Sequence, residues 1–134
     1  MLLVGTTYVF GGPIEDRKAL MKQNADAAKL GTAMAKGEQP YDEAKAEDVL
    51  KVHAMVGAKL PTLVPEDSKT GDNTTASPKI WEDMAGFKAA AAKLQQDATN
   101  AMAQTKDQAS FAKAYAVVVS NCGACHQTYR IKQN

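Results

Sequence analysis

A five-residue segment near the end of the chain, Cys-Gly-Ala-Cys-His at residues 122–126, limits the possible folds more than any other feature. Two thiols three residues apart, followed directly by an imidazole, form the attachment motif for a c-type haem. At about 100° per residue, Cys122, Cys125 and His126 point the same way from a helix. The thiols can then form thioethers to the haem vinyl groups while His126 ligates the iron from one side. The fold therefore has to enclose a large planar group beside this helix.

Three other interpretations of the cysteines fit the sequence less well. A thioredoxin-type pair requires a preceding strand, whereas both flanks of the segment have a helical pattern. A structural zinc site needs four ligands, and the two cysteines and two histidines of the chain have the wrong spacing for a zinc finger. A disulfide between Cys122 and Cys125 would leave His126 unexplained. The prediction is one haem c, bound covalently through both cysteines, and hence export across the cytoplasmic membrane.

Composition and periodicity predict the fold class. The chain has 134 residues, of which 6% are aromatic, and a formal net charge of +1. This charge is too small to indicate binding to nucleic acid. Helical periodicity covers residues 14–36, 42–59, 77–102 and 106–132, with Asp42 and Ser77 as candidate N-caps. Two connections are short, residues 66–77 form a longer polar one, and no strand pattern is present. The sequence predicts an all-α, antiparallel four-helix bundle with covalently bound haem c.

The first twelve residues form a separate apolar lead. They lack a basic start and a cleavage site, so they are not a complete signal peptide. They are also far shorter than the roughly 20 residues of a membrane span. We interpret residues 1–12 as the remnant of a signal or anchor sequence, the alternative being an extension that packs on the body. Residues 13–134 form the bundle domain, and membrane contact is expected only if the lead is native.

Several segments together resemble the cytochrome c′ family. They are Arg-Lys-Ala-Leu-Met-Lys at 17–22, Lys-Gly-Glu-Gln-Pro-Tyr-Asp at 36–42, Ser-Pro-Lys-Ile-Trp at 77–81 and the haem segment with its continuation to Arg130. The haem motif also lies on the last helix, whereas small cytochromes c carry it near the N-terminus. The section from Leu60 to Trp81 is most similar to the low-spin branch, cytochrome c-556.

The resemblance implies that Met21 faces the side of the haem away from His126. In the low-spin branch a Met at this position ligates iron, and in cytochrome c′ the same position leaves the iron five-coordinate. We predict that His126 and Met21 are the two iron ligands, a pairing that suits low-spin iron and raises the reduction potential. The alternatives are a core methionine at Met21 and an open site that binds NO or CO.

Other residues are candidates for haem contact because of their position relative to the two ligands. Arg17 lies one turn before Met21 and could pair with a haem propionate, or it is a solvated charge. Leu20 is expected to pack against the macrocycle. Arg130 follows His126 by one turn and, as in the family, is expected along the same face of the haem.

Three rings remain to be assigned. Trp81 and Tyr129 are expected to line the haem crevice, with simple core packing as the alternative. His53 lies on the apolar stripe of the second helix, where a histidine with satisfied nitrogens is commoner than a ligand. Its expected contact is with the haem edge or a propionate.

Together these features predict a periplasmic, mono-haem c-type cytochrome that carries single electrons and is not an enzyme. Its expected partners are redox proteins. The alternative function is that of a five-coordinate cytochrome c′ that binds NO or CO. The family also implies a possible homodimer through the first two helices.

Overall fold

The computed structural model describes residues 11–132, so the apolar lead, apart from its last two residues, lies outside the described part. Four long helices and one short helix follow one another along the chain. They are α1 (Pro13–Ala35), α2 (Glu43–Lys59), α3 (Lys79–Glu82), α4 (Met84–Gln104) and α5 (Gln108–Tyr129). The long helices pack in a ring in which α1 contacts α2 and α5, and α4 contacts α2 and α5. The predicted all-α four-helix bundle is confirmed.

Side-chain caps define the starts of α2 and α5. The carboxylate of Asp42 accepts a hydrogen bond of 2.9 Å from the backbone N–H of Lys45, as predicted for the start of α2. At the start of α5, Asp107 and Ser110 form a reciprocal capping box. Short connections between α1 and α2 and between α4 and α5 make each of these pairs antiparallel.

The third predicted helix is interrupted, which corrects the prediction of one continuous helix from residue 77 to 102. Asp83 leaves the helical region at φ −130° and ψ 58°. Its side chain accepts a hydrogen bond of 3.2 Å from the N–H of Gly86 and so caps α4. The preceding turn, α3, is held separately at its start, where the hydroxyl of Ser77 accepts from the N–H of Lys79. At this point the Asp83 side chain accepts the hydrogen bond that a backbone carbonyl would accept in a continuous helix, and the helix is therefore interrupted.

The two ends of the bundle are filled differently. At the end that contains the α1–α2 connection, the main core is closely packed around Met34, Leu50, Phe111 and Tyr115. At the other end a smaller cluster contains Val64, Ile80 and Phe87, with further side chains packed against it.

The long connection at residues 60–77 covers this second end. It contains two 3₁₀ turns, Leu60–Leu63 and Glu66–Ser68. Its last residues pair with the chain after α5, because the N–H of Ser77 donates to the carbonyl of Tyr129 at 2.9 Å and that of Ile131 donates to Thr75 at 2.7 Å. The sequence pattern predicts that this helix continues to residue 132. These bonds explain why α5 ends earlier, at Tyr129. Within residues 11–132, no helix has the length and apolar character to cross a membrane.

Candidate haem site

A cavity of about 630 Å³ lies beside α5 in the half of the bundle covered by the long connection. All four long helices contribute to its wall, together with residues 73–76 of the connection. Its volume is within the roughly 300–1,000 Å³ typical of small-molecule and cofactor sites. No aspartate or glutamate is among the residues that line it, within the part of the chain that the structure describes.

The Cys-x-x-Cys-His segment forms one wall of this cavity. Cys122, Cys125 and His126 all line it from one face of α5, as their spacing predicts. Both thiols are half-buried and not joined by a disulfide, and burial raises the pKa of each. Because the segment lies within the last two turns of a long helix, the strand-and-helix setting of a thioredoxin-type pair is absent from α5.

The two histidines differ in environment. His53 is buried, its Nδ1 lies 2.6 Å from the Asn24 carboxamide oxygen, and its Nε2 lies 2.9 Å from the Tyr115 hydroxyl. It is not among the lining residues of the cavity, and both of its nitrogens have partners in the core, so the structure gives the expected contact with the haem edge no support. His126, in contrast, makes no side-chain hydrogen bond to any residue from 11 to 132. Burial, and secondarily Arg130, lower the pKa of His126, which favours the neutral imidazole that can bind a metal.

Met21 lines the same cavity from α1. Its side chain is half-buried, and the lining residues one and two turns further along α1, Ala25 and Ala28, carry only methyl groups. The cavity therefore has a thioether on the wall formed by α1 and, on the wall formed by α5, an imidazole without a hydrogen bond to the described residues.

Arg17 is a buried cation, not the solvated charge of the alternative interpretation. Only 7% of the residue is exposed, and its guanidinium donates to four neutral acceptors of the long connection. The acceptors are the carbonyls of Leu63 and Ser68 and the hydroxyls of Ser68 and Thr74, at 2.7 to 3.3 Å. Within residues 11–132 it has no carboxylate partner, and burial lowers its pKa. Arg17 thus brings an unneutralised positive charge to the cavity wall.

The remaining candidates divide into two groups. Tyr129 and Arg130 line the cavity. Leu20 and Trp81 are not among its lining residues, in contrast to their expected haem contact. Leu20 is buried and lies 100° around α1 from Met21, which turns it away from the cavity wall. The indole N–H of Trp81 donates to the carbonyl of Val64 at 3.1 Å, and its ring lies 5.8 Å from the Arg17 guanidinium, so it packs behind the wall.

The lining residues that sequence reasoning missed include Asn24, Gly57 and Asn121. A Cβ atom on Gly57 would lie 2.5 Å from the carbonyl oxygen of Ala91, so glycine permits the close approach of α2 and α4 here. A glycine inside a predicted helix was the available signal for this contact. Asn121 is buried next to Cys122, and a polar residue on the helical face of the motif was the corresponding signal.

These residues fit a covalently attached haem. Two thiols and the imidazole of His126 share a wall, the surroundings are largely apolar, and a buried cation can neutralise an acidic substituent. They fit zinc poorly, because no cluster of three or more His, Cys, Asp or Glu side chains within residues 11–132 has the arrangement of a metal site. His53, the only further imidazole, is held in the core.

Comparison with known proteins agrees with this fit. The family model described as Cytochrome C′ matches residues 12–130. The chain belongs to the cytochrome c′ family. It is 45% identical to cytochrome c′ of Rhodopseudomonas palustris over 90% of this chain and 83% of the relative. It is 41% identical to cytochrome c-556 of Agrobacterium tumefaciens over 92% of this chain and 98% of the relative. The solved cytochrome c′ from Rhodopseudomonas palustris superposes with a TM-score of 0.89 at 43% identity, covering 93% of this chain and all of that one.

Cytochrome c′ family members bind one covalently attached haem c and are electron carriers or gas-binding haem proteins. Those of Gram-negative bacteria are typically periplasmic. A solved variant of cytochrome c prime from Alcaligenes xylosoxidans, 26% identical to this chain with a TM-score of 0.78, is a nitric oxide complex. Relatives named cytochrome c′ and cytochrome c-556 match at similar identity. Electron transfer and gas binding are therefore both candidate functions.

Proposed function

We propose that this chain is a periplasmic one-electron carrier with His126 and Met21 as its axial iron ligands. Thioether bonds from Cys122 and Cys125 attach the haem to α5. The observation that carries the proposal is that an imidazole free of hydrogen bonds to residues 11–132 and a thioether line one cavity from two different helices. His and Met together are the axial pair of electron-transfer cytochromes, and haem bound in this way supplies an iron that changes oxidation state by one electron.

The ligand residues have different tasks in this proposal. Partial desolvation, and secondarily the charge of Arg130, lower the pKa of His126 and so favour the neutral imidazole, whose ring nitrogen is a donor atom. Met21 contributes a soft, neutral sulfur, which favours the reduced iron and raises the reduction potential. The methyl side chains of Ala25 and Ala28, further along α1 in the cavity lining, offer no donor atom that would compete with the sulfur.

Arg17 supports the same assignment through its charge. A buried cation without an anionic partner is unfavourable, and a carboxylate in the cavity would offset that cost. A haem propionate has this chemistry, and Arg130, exposed at the cavity edge, is the second candidate for it. Leu20 and Trp81 are assigned to packing.

Gas binding is the second candidate function. It is supported by the 45% identity to a protein named cytochrome c′ and by the methyl groups of Ala25 and Ala28, which line the cavity on the same helix as Met21. In that case Met21 would be part of the wall and the iron would accept NO or CO on that side. A homodimer through α1 and α2 stays a prediction.

A pair of methionine substitutions tests the proposal. Met21→Leu preserves volume but removes the sulfur, and Met102→Leu makes the same change at a half-buried methionine outside the cavity lining. We expect only Met21→Leu to convert the oxidised holoprotein from a low-spin to a high-spin optical spectrum and to create CO binding in the reduced state. If Met21→Leu leaves the wild-type spectrum unchanged, Met21 is not a ligand. A wild-type protein that is already high-spin would favour the gas-binding function.

A further inference from the structure

Two aspartates of the α4 region contact the haem-binding segment of α5 at its two ends. Near the start of the segment, Asn121 donates to the carboxylate of Asp97 at 2.8 Å. After its end, the hydroxyl of Tyr129 donates to the carboxylate of Asp83 at 2.9 Å. The two contact residues on α5 are eight positions apart, just over two helical turns, and the Cys-x-x-Cys-His segment lies between them.

The first contact joins a buried amide to a half-buried carboxylate. Asn121 is 8% exposed and also donates to the carbonyls of Val117 and Val118. The hydrogen bond from Asn121, together with Lys93, lowers the pKa of Asp97, so the acceptor is a carboxylate. Hydrogen bonds to a charged acceptor are stronger than neutral ones. This contact joins the residue directly before Cys122 to α4.

The second contact fixes Tyr129 at three points. Its hydroxyl donates to Asp83, its ring packs edge-on against Phe87 at 5.4 Å, and its carbonyl accepts from the N–H of Ser77. Asp83 is itself fixed, because its second oxygen caps α4 through Gly86. A Cβ on Gly86 would approach the Asp83 carboxylate and lie 2.6 Å from the Tyr129 hydroxyl, so only glycine leaves room for this arrangement.

We infer that Asp83 and Asp97 are positioning residues that set the rotation and depth of the haem-binding segment of α5 against α4. A helix packed through apolar surface alone can rotate or slide by a fraction of a turn at small cost, whereas two directional hydrogen bonds on either side of the segment fix both coordinates. His126 lies three residues before Tyr129, so its direction into the cavity depends on these contacts. This inference rests on the proposed role of His126 as an iron ligand.

Two matched pairs of variants of the holoprotein test the inference. Tyr129→Phe removes the hydroxyl that reaches Asp83, and Tyr41→Phe removes a buried hydroxyl that has no partner within residues 11–132. Asp97→Ala removes the acceptor of Asn121, and Lys93→Ala removes the exposed member of the same ion pair without touching α5.

The readout is the set of g values of the oxidised protein in electron paramagnetic resonance, which depends on the orientation of the axial ligands. Tyr129→Phe and Asp97→Ala are expected to shift these values, and Tyr41→Phe and Lys93→Ala to retain the wild-type values. Tyr129→Phe is also expected to lower the reduced-to-oxidised ratio at a fixed potential about threefold, because the Asp83 charge loses a donor.

Melting temperatures distinguish positioning from general stabilisation. If Tyr129→Phe and Asp97→Ala lower the melting temperature but keep the wild-type g values and redox ratio, the contacts are only structural and the inference is wrong. His126→Ala provides the separate check on the proposed function. If that variant retained the wild-type haem spectrum, His126 would not be a ligand and the inference would fail with the proposed function.

Discussion

The Nε2 atom of His53 lies 2.9 Å from the hydroxyl oxygen of Tyr115, so a buried hydrogen bond joins α2 to α5. The other ring nitrogen lies 2.6 Å from the carboxamide oxygen of Asn24 on α1. Because that oxygen can only accept, Nδ1 carries the proton and Nε2 accepts from Tyr115. One neutral imidazole therefore connects three helices between the main core and the cavity.

This arrangement predicts an acid-dependent loss of stability. Burial lowers the pKa of His53 from 6.5 to about 4. Above pH 6.5 the ring is neutral in both states, and below it the unfolded chain binds a proton that the folded protein excludes. The contribution of His53 to the free energy of unfolding is therefore fully present above its unfolded-state pKa of 6.5. It falls by up to about 3 kcal/mol as the pH approaches 4.

Denaturant unfolding of the wild type and of His53→Gln at pH 7 and pH 4.5 measures this effect. We expect the wild type to be more stable at pH 7, and the difference to shrink by at least about 1.5 kcal/mol at pH 4.5. An equal difference at both pH values would show that His53 does not titrate in this way.

Arg17 is expected to hold the long connection in place. Arg17→Lys keeps the charge, but an ammonium cannot replace a planar fork that donates to four acceptors. The free energy of unfolding should fall by about 2 kcal/mol, and proteolysis within residues 60–77 should become faster. Lys22→Gln, at an exposed i,i+4 ion pair, should change the stability by less than about 0.5 kcal/mol. Equal stability of both variants would contradict the role of Arg17.

Gly31 is expected to be intolerant of even one added methyl group. A Cβ at this position would lie 2.5 Å from the Tyr115 hydroxyl, so Gly31→Ala should cost about 1–3 kcal/mol of unfolding free energy through overpacking. At Gly123 nothing lies within 4 Å of the added atom, and alanine there should stabilise α5 by up to about 1 kcal/mol. Thermal unfolding compares the two variants, and similar melting temperatures would contradict the close contact at Gly31.

Much of the fold follows from local sequence patterns. Apolar periodicity predicts the four long helices, and the Asp42 cap begins α2 as expected. The motif spacing brings Cys122, Cys125 and His126 to one face because helical geometry alone determines their directions. The resemblance to cytochrome c′ adds Met21, which the structure brings to the same cavity.

Other features depend on contacts that local patterns do not contain. The helix breaks at Asp83 because its carboxylate competes with backbone carbonyls for the N–H of Gly86. Helix propensities alone do not predict which acceptor is used. The acceptors of Arg17 lie 46 to 57 residues away in the sequence. The indole of Trp81 donates to the carbonyl of Val64 and does not line the cavity. Such long-range polar pairing requires the three-dimensional structure.

The central claim, that Met21 and His126 ligate the iron of an electron carrier, is tested most directly by NMR. The chain contains six methionines, so the reduced holoprotein with ¹³C-labelled methionine methyl groups gives six resonances. Our account predicts that one of them lies far upfield, shifted by the haem ring current on an iron-bound Met21, and that it disappears in Met21→Leu. Six methyl resonances near their ordinary positions would contradict ligation by Met21 and leave the iron open on that side.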